Sequence, residues 1–279
     1  MKNIAQVYHV IAIPGHLDNK METGEYLSEF YHKNRALFQC QAEDLPVRLV
    51  TCCAAAPLSI HLHPHDDYAL VHEGMRGKIE GGVEIEAKDE YYTARVGHVA
   101  KTREEFIEMV EAGDFENLMG REERKVGEFH PVPYGQLHGG SGDGQNIDVA
   151  WSTNGDVTYR LYDRGRNDPN RKLHIKEVLD TVPIPDNPVE YVQPIPYKQN
   201  GCLLYDYYAE PGEYVARRIK SDETAEFQDD KFMFILCGDG SGYINDISLH
   251  PGETIFVPAE YGKLSLKGKM DLFILSYIE

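Results

Sequence analysis

The sequence is poor in positive charge, holds a single tryptophan and has no long apolar run. Lys and Arg together number 28 against 46 Asp and Glu, a formal net charge of -18. So acidic a chain repels nucleic acid and anionic lipid, which argues against both as bulk partners. An anionic small molecule would need a local group of cations to overcome that field. No stretch approaches the roughly 20 apolar residues that span a bilayer. The opening MKNIAQVYHVIAIPGH carries one Lys, and its short apolar patch is broken by polar residues without a small-residue cleavage site, so it does not read as a signal peptide. The cysteines (Cys40, Cys52, Cys53, Cys202 and Cys237) are odd in number and form no C-x-x-C pair. They read as reduced thiols, small and buried, and imply a cytoplasmic protein.

What the chain does have is enough apolar material for a core: 42% hydrophobic and 10% aromatic residues over 279 positions. That length suits one large β body or two joined lobes. Residues 20–45 read as a polar helix with Thr23, Leu27 and Phe30 on one face. VRLVTCCAAAPLSIHLHPH is β-compatible and stops at Pro64. VEIEAKDEYYTARV alternates like a pair of strands. KTREEFIEMVEAGDFENLM reads as a helical insertion at 102–119, with a capping box at Thr102 and Glu105 and an apolar stripe of Phe106, Met109, Val110 and Phe115. Strand-like pieces return in GEFHPVPYG, NIDVAW and VTYRLYD, with a Gly-rich turn, GGSGDGQ, between the first two. That turn lacks the Lys-Ser/Thr ending of a phosphate loop. LHIKEVLDTV reads as a short helix and PIPDNPVEYVQPIPY as an extended linker. From about residue 200 short strands resume, with turns expected at Glu210-Pro211-Gly212 and Gly238-Asp239-Gly240.

The two strand-rich parts share a phrase. Residues 127–133 read GEFHPVP and residues 252–258 read GETIFVP, both G-E-x-x-x-V-P. The match points to two copies of one β-sandwich unit. A G-E/D-x-x-x-x-P phrase is typical of cupins, which are small jelly-roll barrels. The fold expected is therefore mainly β: two jelly-roll (cupin) domains, 1–190 with the helical insertion and a degenerate second copy at 191–279. A His follows the first phrase at 138. The second has Leu264 nearby and no His, so one copy is expected to hold a metal and the other to be structural.

His61 and His63 stand two apart at the end of a strand-like run, so both imidazoles face one side. Pro64 ends the strand and His65, Asp66 and Asp67 are expected in the turn. Glu80 follows a turn in GMRGKIEGG, and His138 lies on a later strand. Three His and one carboxylate suit one divalent metal, zinc first, with iron, manganese, nickel or cobalt as alternatives. His65, His72, His98, His130, His174 and His250 read as ordinary surface or core histidines.

Taken in order, several segments resemble the type I mannose-6-phosphate isomerase family. PLSIHLHPHDDYA resembles PLS-[IV]-Q-V-H-P-D-D-x-Y-A, GKIE resembles GKTE, and VPYGQLHG resembles V/I-P-A-G-T-x-H-A. DVTYRLYDRGR is close to DTTYRVYDWGR, and LHIKEVLD to LHIEKALD. The resemblance implies a zinc-dependent isomerase of cupin fold that interconverts mannose 6-phosphate and fructose 6-phosphate through an enediol, with a sugar phosphate as its small-molecule partner. It implies His61 (Gln in the family), His63, Glu80 and His138 as metal ligands, Ser59 and Arg166 at the sugar phosphate, and Lys78 and Arg160 as cations near the reacting carbons. Besides His61, the chain departs from the family in three places. Gly81-Gly82 replaces a bulky pair and removes bulk beside the pocket. Ala150 stands where the family has a Glu, with Asp148, two residues earlier on the same strand face, as a shorter substitute. The W-G-G phrase is missing, and Trp151 is the only tryptophan. The proton-abstracting base stays open among Lys78, Asp148 and a hydroxide on the metal. These departures motivate two rivals: an isomerase for another sugar or sugar phosphate, and a sugar-phosphate-binding cupin without turnover.

Overall fold

A computed structural model describes residues 6–54, 56–139, 146–166 and 168–279. The Gly-rich GGSGDGQ turn lies, from residue 140 on, outside the described residues. The chain forms two compact units. One comprises residues 1–6, 52–150 and 155–191; the other comprises 7–51, 151–154 and 192–279. The break near residue 191 falls in the Pro-rich run.

The first unit carries a five-stranded antiparallel sheet. Its spatial order is Tyr159–Tyr162, Ile60–Leu62, His138–Gly139, Tyr91–His98 and Met119–Lys125. Ile60–Leu62, Tyr159–Tyr162 and Tyr91–His98 carry the β-branched and aromatic residues that a half-buried pleat favours, while Met119–Lys125 at the sheet edge is mostly charged. One face packs on an apolar cluster that includes Ile60, Leu62, Tyr159, Leu161, Leu118, Phe106 and Val178, each almost fully buried. At roughly 1.5–3 kcal/mol for each large apolar side chain buried, this cluster fixes the sheet from behind and leaves the other face for the site. Phe106 belongs to the inserted helix Arg103–Glu111. Thr102 caps that helix by accepting from the Glu105 backbone N–H, while the Glu105 carboxylate takes the Lys101 N–H instead of closing a capping box onto Thr102.

The second strand system of this unit pairs Glu80–Glu86 with Phe129–Val132, and Ile147–Thr153 runs beside Glu80–Glu86. VEIEAKDEYYTARV therefore does contain two strands, but Glu80–Glu86 and Tyr91–His98 lie in different sheets and do not pair with each other. Two further expectations fail locally. Residues 20–45 hold only two short helices, Leu27–Lys33 and Arg35–Phe38, because Gln39 turns left-handed at φ 46 and ends the run. Asp66 and Asp67 are not in a turn; they open the helix Asp66–Glu73, capped by His65 and stopped by left-handed Gly74.

The second unit is a six-stranded sheet and a four-stranded sheet, both antiparallel. They enclose a core of Leu204, Ile219, Met233, Ile235, Leu264, Leu266, Met270 and Leu272. Gly238-Asp239-Gly240 is not a turn. It lies within the strand Met233–Gly240, where the ladder shifts register between Cys237 and Asp239 as a bulge.

The G-E-x-x-x-V-P phrase has the same geometry in both units. Gly127 and Gly252 are left-handed, at φ 91 and 87. Gly127 N–H donates to Glu84 and Gly252 N–H to Cys237, each on the strand that the phrase then pairs with. Glu128 and Glu253 each accept the backbone N–H three residues back, from Lys125 and His250, at 2.8 Å in both cases. The repeat seen in seven letters is a repeated turn-and-strand device.

Candidate metal centre

The site is set by register. His61 lies directly opposite His138 on one neighbouring strand and Arg160 on the other. Residues directly opposite in a sheet share a face, with Cβ atoms about 5 Å apart, so these three side chains form one row. His63, two residues beyond His61, joins the same side just before Pro64 stops the strand. His61, His63 and His138 offer ring nitrogens that all fall within 4.8 Å of one another.

Glu80 comes from the other sheet. Gly77 delivers it by passing so close to Pro64 that a Cβ there would sit 1.8 Å from the Pro64 carbonyl oxygen. Glu80 Oε1 then lies 3.0 Å from His138 Nε2 and 3.7 Å from His63 Nε2. Its Oε2 takes the Lys78 ammonium at 2.7 Å. Burial alone would raise the Glu80 carboxyl, but the charges of Lys78 and His63 outweigh it and hold the group well below the usual carboxylate range.

Each histidine is oriented from behind. Nδ1 of His61, His63 and His138 donates to the backbone carbonyl of Ser59, Val157 and Gln136, at 2.8, 2.9 and 3.0 Å. With the proton on Nδ1, the Nε2 lone pair is free to serve as a ligand. Nε2 of His63 and of His138 are both buried and make no hydrogen bond. A buried nitrogen left unsatisfied costs about 1–3 kcal/mol, so two of them facing one carboxylate fit a cation between them. Burial drives His61 well below its ordinary pKa, aided by His138 and His63. Burial, aided by Lys78, takes His63 to about 4. Both are therefore neutral near pH 7, the form that ligates.

The other expected residues are placed as follows. Ser59 is buried, with Oγ 3.3 Å from His61 Nδ1. Arg160 stands beside His61, and its Nε is buried without a hydrogen-bond partner. Arg166 lies in the turn after that strand, bonded to Asp163. Asp148 is half-buried on Ile147–Thr153. Burial, then the charges of Glu84 and Glu80, push its carboxyl well above the usual range. Gly82 does not leave an empty wall: a Cβ there would sit 3.2 Å from His130 Nε2 and 3.3 Å from the Val149 carbonyl. His130, read as ordinary in the sequence, fills that place and is held neutral by burial. His174 was also passed over. It accepts the Arg160 N–H on Nδ1 at 3.1 Å, and its own N–H returns to the Arg160 carbonyl at 2.8 Å.

No protein-family profile matches the chain. Individual proteins do. The chain is 29% identical to mannose-6-phosphate isomerase ManA of Bacillus subtilis (strain 168) over 269 residues, covering 92% of this chain and 84% of that protein. It is 31% identical to a second protein of that organism, named Probable mannose-6-phosphate isomerase GmuF, over 78% of this chain and 70% of that one. The chain belongs to the mannose-6-phosphate isomerase family. A crystal structure of a mannose 6-phosphate isomerase from Bacillus subtilis superposes with a TM-score of 0.87 at 25% identity, covering 97% of this chain and 89% of that one. A variant of phosphomannose isomerase from Salmonella typhimurium superposes at 0.75 with 13% identity, covering 99% and 91%, a likeness of fold alone. The histidine cluster includes His61, where the family resemblance leads one to expect a Gln.

Proposed function

We propose that this family member is a metal-dependent aldose–ketose isomerase acting on a sugar phosphate, with mannose 6-phosphate and fructose 6-phosphate as its pair and zinc as its ion. The observation that carries the reading is the row Arg160–His61–His138 with His63 and Glu80 beside it, two of its ring nitrogens buried and unpaired. His61, His63, Glu80 and His138 would hold the ion. When bound, a divalent ion supplies positive charge to the oxygen on which negative charge develops as the carbon acid loses its proton.

The remaining residues bind and move charge. Arg160 adds a fixed guanidinium on the same face as the histidines, lying in the row where an enediolate would form. Lys78 is committed to Glu80, which keeps that carboxylate ionised as a ligand. Ser59 and Arg166 take the phosphate end, by hydroxyl and guanidinium. The proton-abstracting base is open among Lys78, a hydroxide on the metal and Asp148, whose carboxyl is pushed up by burial and by the charges of Glu84 and Glu80. The five cysteines carry no disulfide, which supports a cytoplasmic setting.

The test is elemental analysis of purified protein together with a coupled assay for interconversion of mannose 6-phosphate and fructose 6-phosphate. Roughly one zinc per chain with turnover is the expected result, and a metal-loaded protein without turnover sinks the catalytic reading. His130 over Gly82 favours a second reading, a different sugar phosphate on the same scaffold. A panel of phosphorylated aldoses and ketoses separates the two.

A further inference from the structure

Arg160 on the strand Tyr159–Tyr162 and Arg166 and Arg171 in the segment after it gather near one buried carboxylate, Asp163. Asp163 is 4% exposed. Its Oδ1 accepts from Arg166 at 2.9 Å and from Arg171 at 2.8 Å, and its Oδ2 accepts from Arg171 Nε at 2.8 Å. Arg166 Nε also reaches the Asp163 carbonyl at 3.1 Å. The segment returns to the strand because His174 is hydrogen-bonded twice to the Arg160 backbone. That fold-back sets Arg171 close enough to Arg160 for its charge, after burial, to make the Arg160 guanidinium harder to protonate.

The grouping gathers three guanidiniums in one place in a chain of net charge -18. Arg166 and Arg171 bond to Asp163, while Asp156 also faces Arg160 and Asp168 also faces Arg171. The charges of Arg171 and Arg166 oppose that of Arg160 across the group. Arg166 and Arg171 remain 38% and 33% exposed at the side chain, and Arg160 keeps a buried Nε with no partner. The arrangement leaves guanidinium donors to spare, with Arg160 next to the histidine row.

We propose that Arg171 is a second phosphate-binding guanidinium beside Arg166, and that Asp163 is the positioning residue that holds the two forks side by side for a phosphomonoester dianion. This rests on the sugar-phosphate reading above and deepens it. Asp163 does not touch the substrate. It binds one edge of the Arg171 fork bidentately and spends one donor pair of Arg166, leaving the outward N–H groups of both for phosphate oxygens.

The experiment uses the whole chain, loaded with metal. Kinetics with mannose 6-phosphate are measured for the native protein, Arg171→Met, Arg171→Lys and Asp163→Asn, alongside thermal melts with and without inorganic phosphate. Arg171→Met is expected to raise KM about 10- to 100-fold with kcat changed little, and to lose most of the phosphate-induced melting shift, as removing one charge-assisted bond pair would. Arg171→Lys is expected to recover part of the shift, and Asp163→Asn to raise KM while leaving kcat nearly intact. Unchanged KM and an unchanged phosphate shift in Arg171→Met would overturn the proposal. If the native protein fails to turn over mannose 6-phosphate yet phosphate stabilises it through Arg171, the anion site stands and the catalytic reading falls.

Discussion

The turn at Gly127-Glu128 and the turn at Gly252-Glu253 are built alike, yet the strands they lead into meet different partners. After the first, Val132 lies opposite Glu80. After the second, Val257 lies opposite Met233. Glu80 faces two unpaired histidine nitrogens and a lysine. Met233 is 1% exposed and packs among Ile235, Leu264, Leu266 and Met270. The backbone device is the same in both copies; one side chain at one register position separates a polar centre from a sealed core. A cupin is held together by its turn and its pairing, and the residue at that position is left to chemistry or to packing.

That comparison is broken most severely by giving the first copy the second copy's residue. Glu80→Met is expected to abolish zinc retention in elemental analysis and to lower kcat by more than about 100-fold, since a lost ligand costs at least what a lost supporting contact does. The fold should persist by circular dichroism, because the second copy shows that methionine fits this register. Retained zinc and turnover would remove Glu80 from the ligand set. The reciprocal cut lies in the second copy. Met233→Ala should destabilise the protein by about 2–5 kcal/mol in chemical denaturation through cavity formation. KM and kcat of the folded protein should stay within experimental error.

A pH series sharpens the same contrast. In the metal-free protein His61, His63 and His130 have folded pKa values lowered by burial, His63 to about 4. The unfolded chain binds more protons than the folded one below about 6.5. Stability is therefore fully present above that pH and is lost as pH falls toward 4, with a slope approaching about 1.4 kcal/mol per pH unit for each histidine that stays neutral. Urea midpoints of metal-free protein between pH 7 and 4 read this directly, and a flat profile contradicts it. The smallest effect expected tests the shared device. Glu128→Ala and Glu253→Ala each remove one side-chain acceptor from a turn N–H and should cost about 1 kcal/mol, equal in the two copies to within a few tenths. Unequal costs would mean that the two turns are alike only in outline.

Much of this was legible in the chain. His61-Leu62-His63-Pro64 encodes two histidines on one side of a strand and the end of that strand, because a period of two is local geometry. The paired G-E-x-x-x-V-P phrases encode a repeat because only a glycine takes the left-handed turn cheaply and only a side chain as long as glutamate reaches back three residues. The insert helix showed itself through Thr102 and Phe106. Less legible were features set by partners far along the chain. The alternation in VEIEAKDEYYTARV gave two strands and could not assign them to separate sheets. Asp66 and Asp67 looked like turn residues because the capping role of His65 is visible only once Asp67 N–H is seen to reach it. His130 looked ordinary because its place over Gly82 depends on the pairing of Glu80–Glu86 with Phe129–Val132.

By itself, then, the sequence determined the fold class, the residue types of the histidine and carboxylate cluster and the side of the strand on which His61 and His63 stand. These follow from backbone periodicity, turn stereochemistry and the chemistry of imidazole and carboxylate, all of which act within a few residues. The tertiary structure alone decided that His138 and Arg160 flank His61, that Glu80 arrives from another sheet, and that Arg171 folds back onto Asp163. Those are matters of register and chain reversal, fixed by which apolar faces must be buried together, and no local pattern carries them.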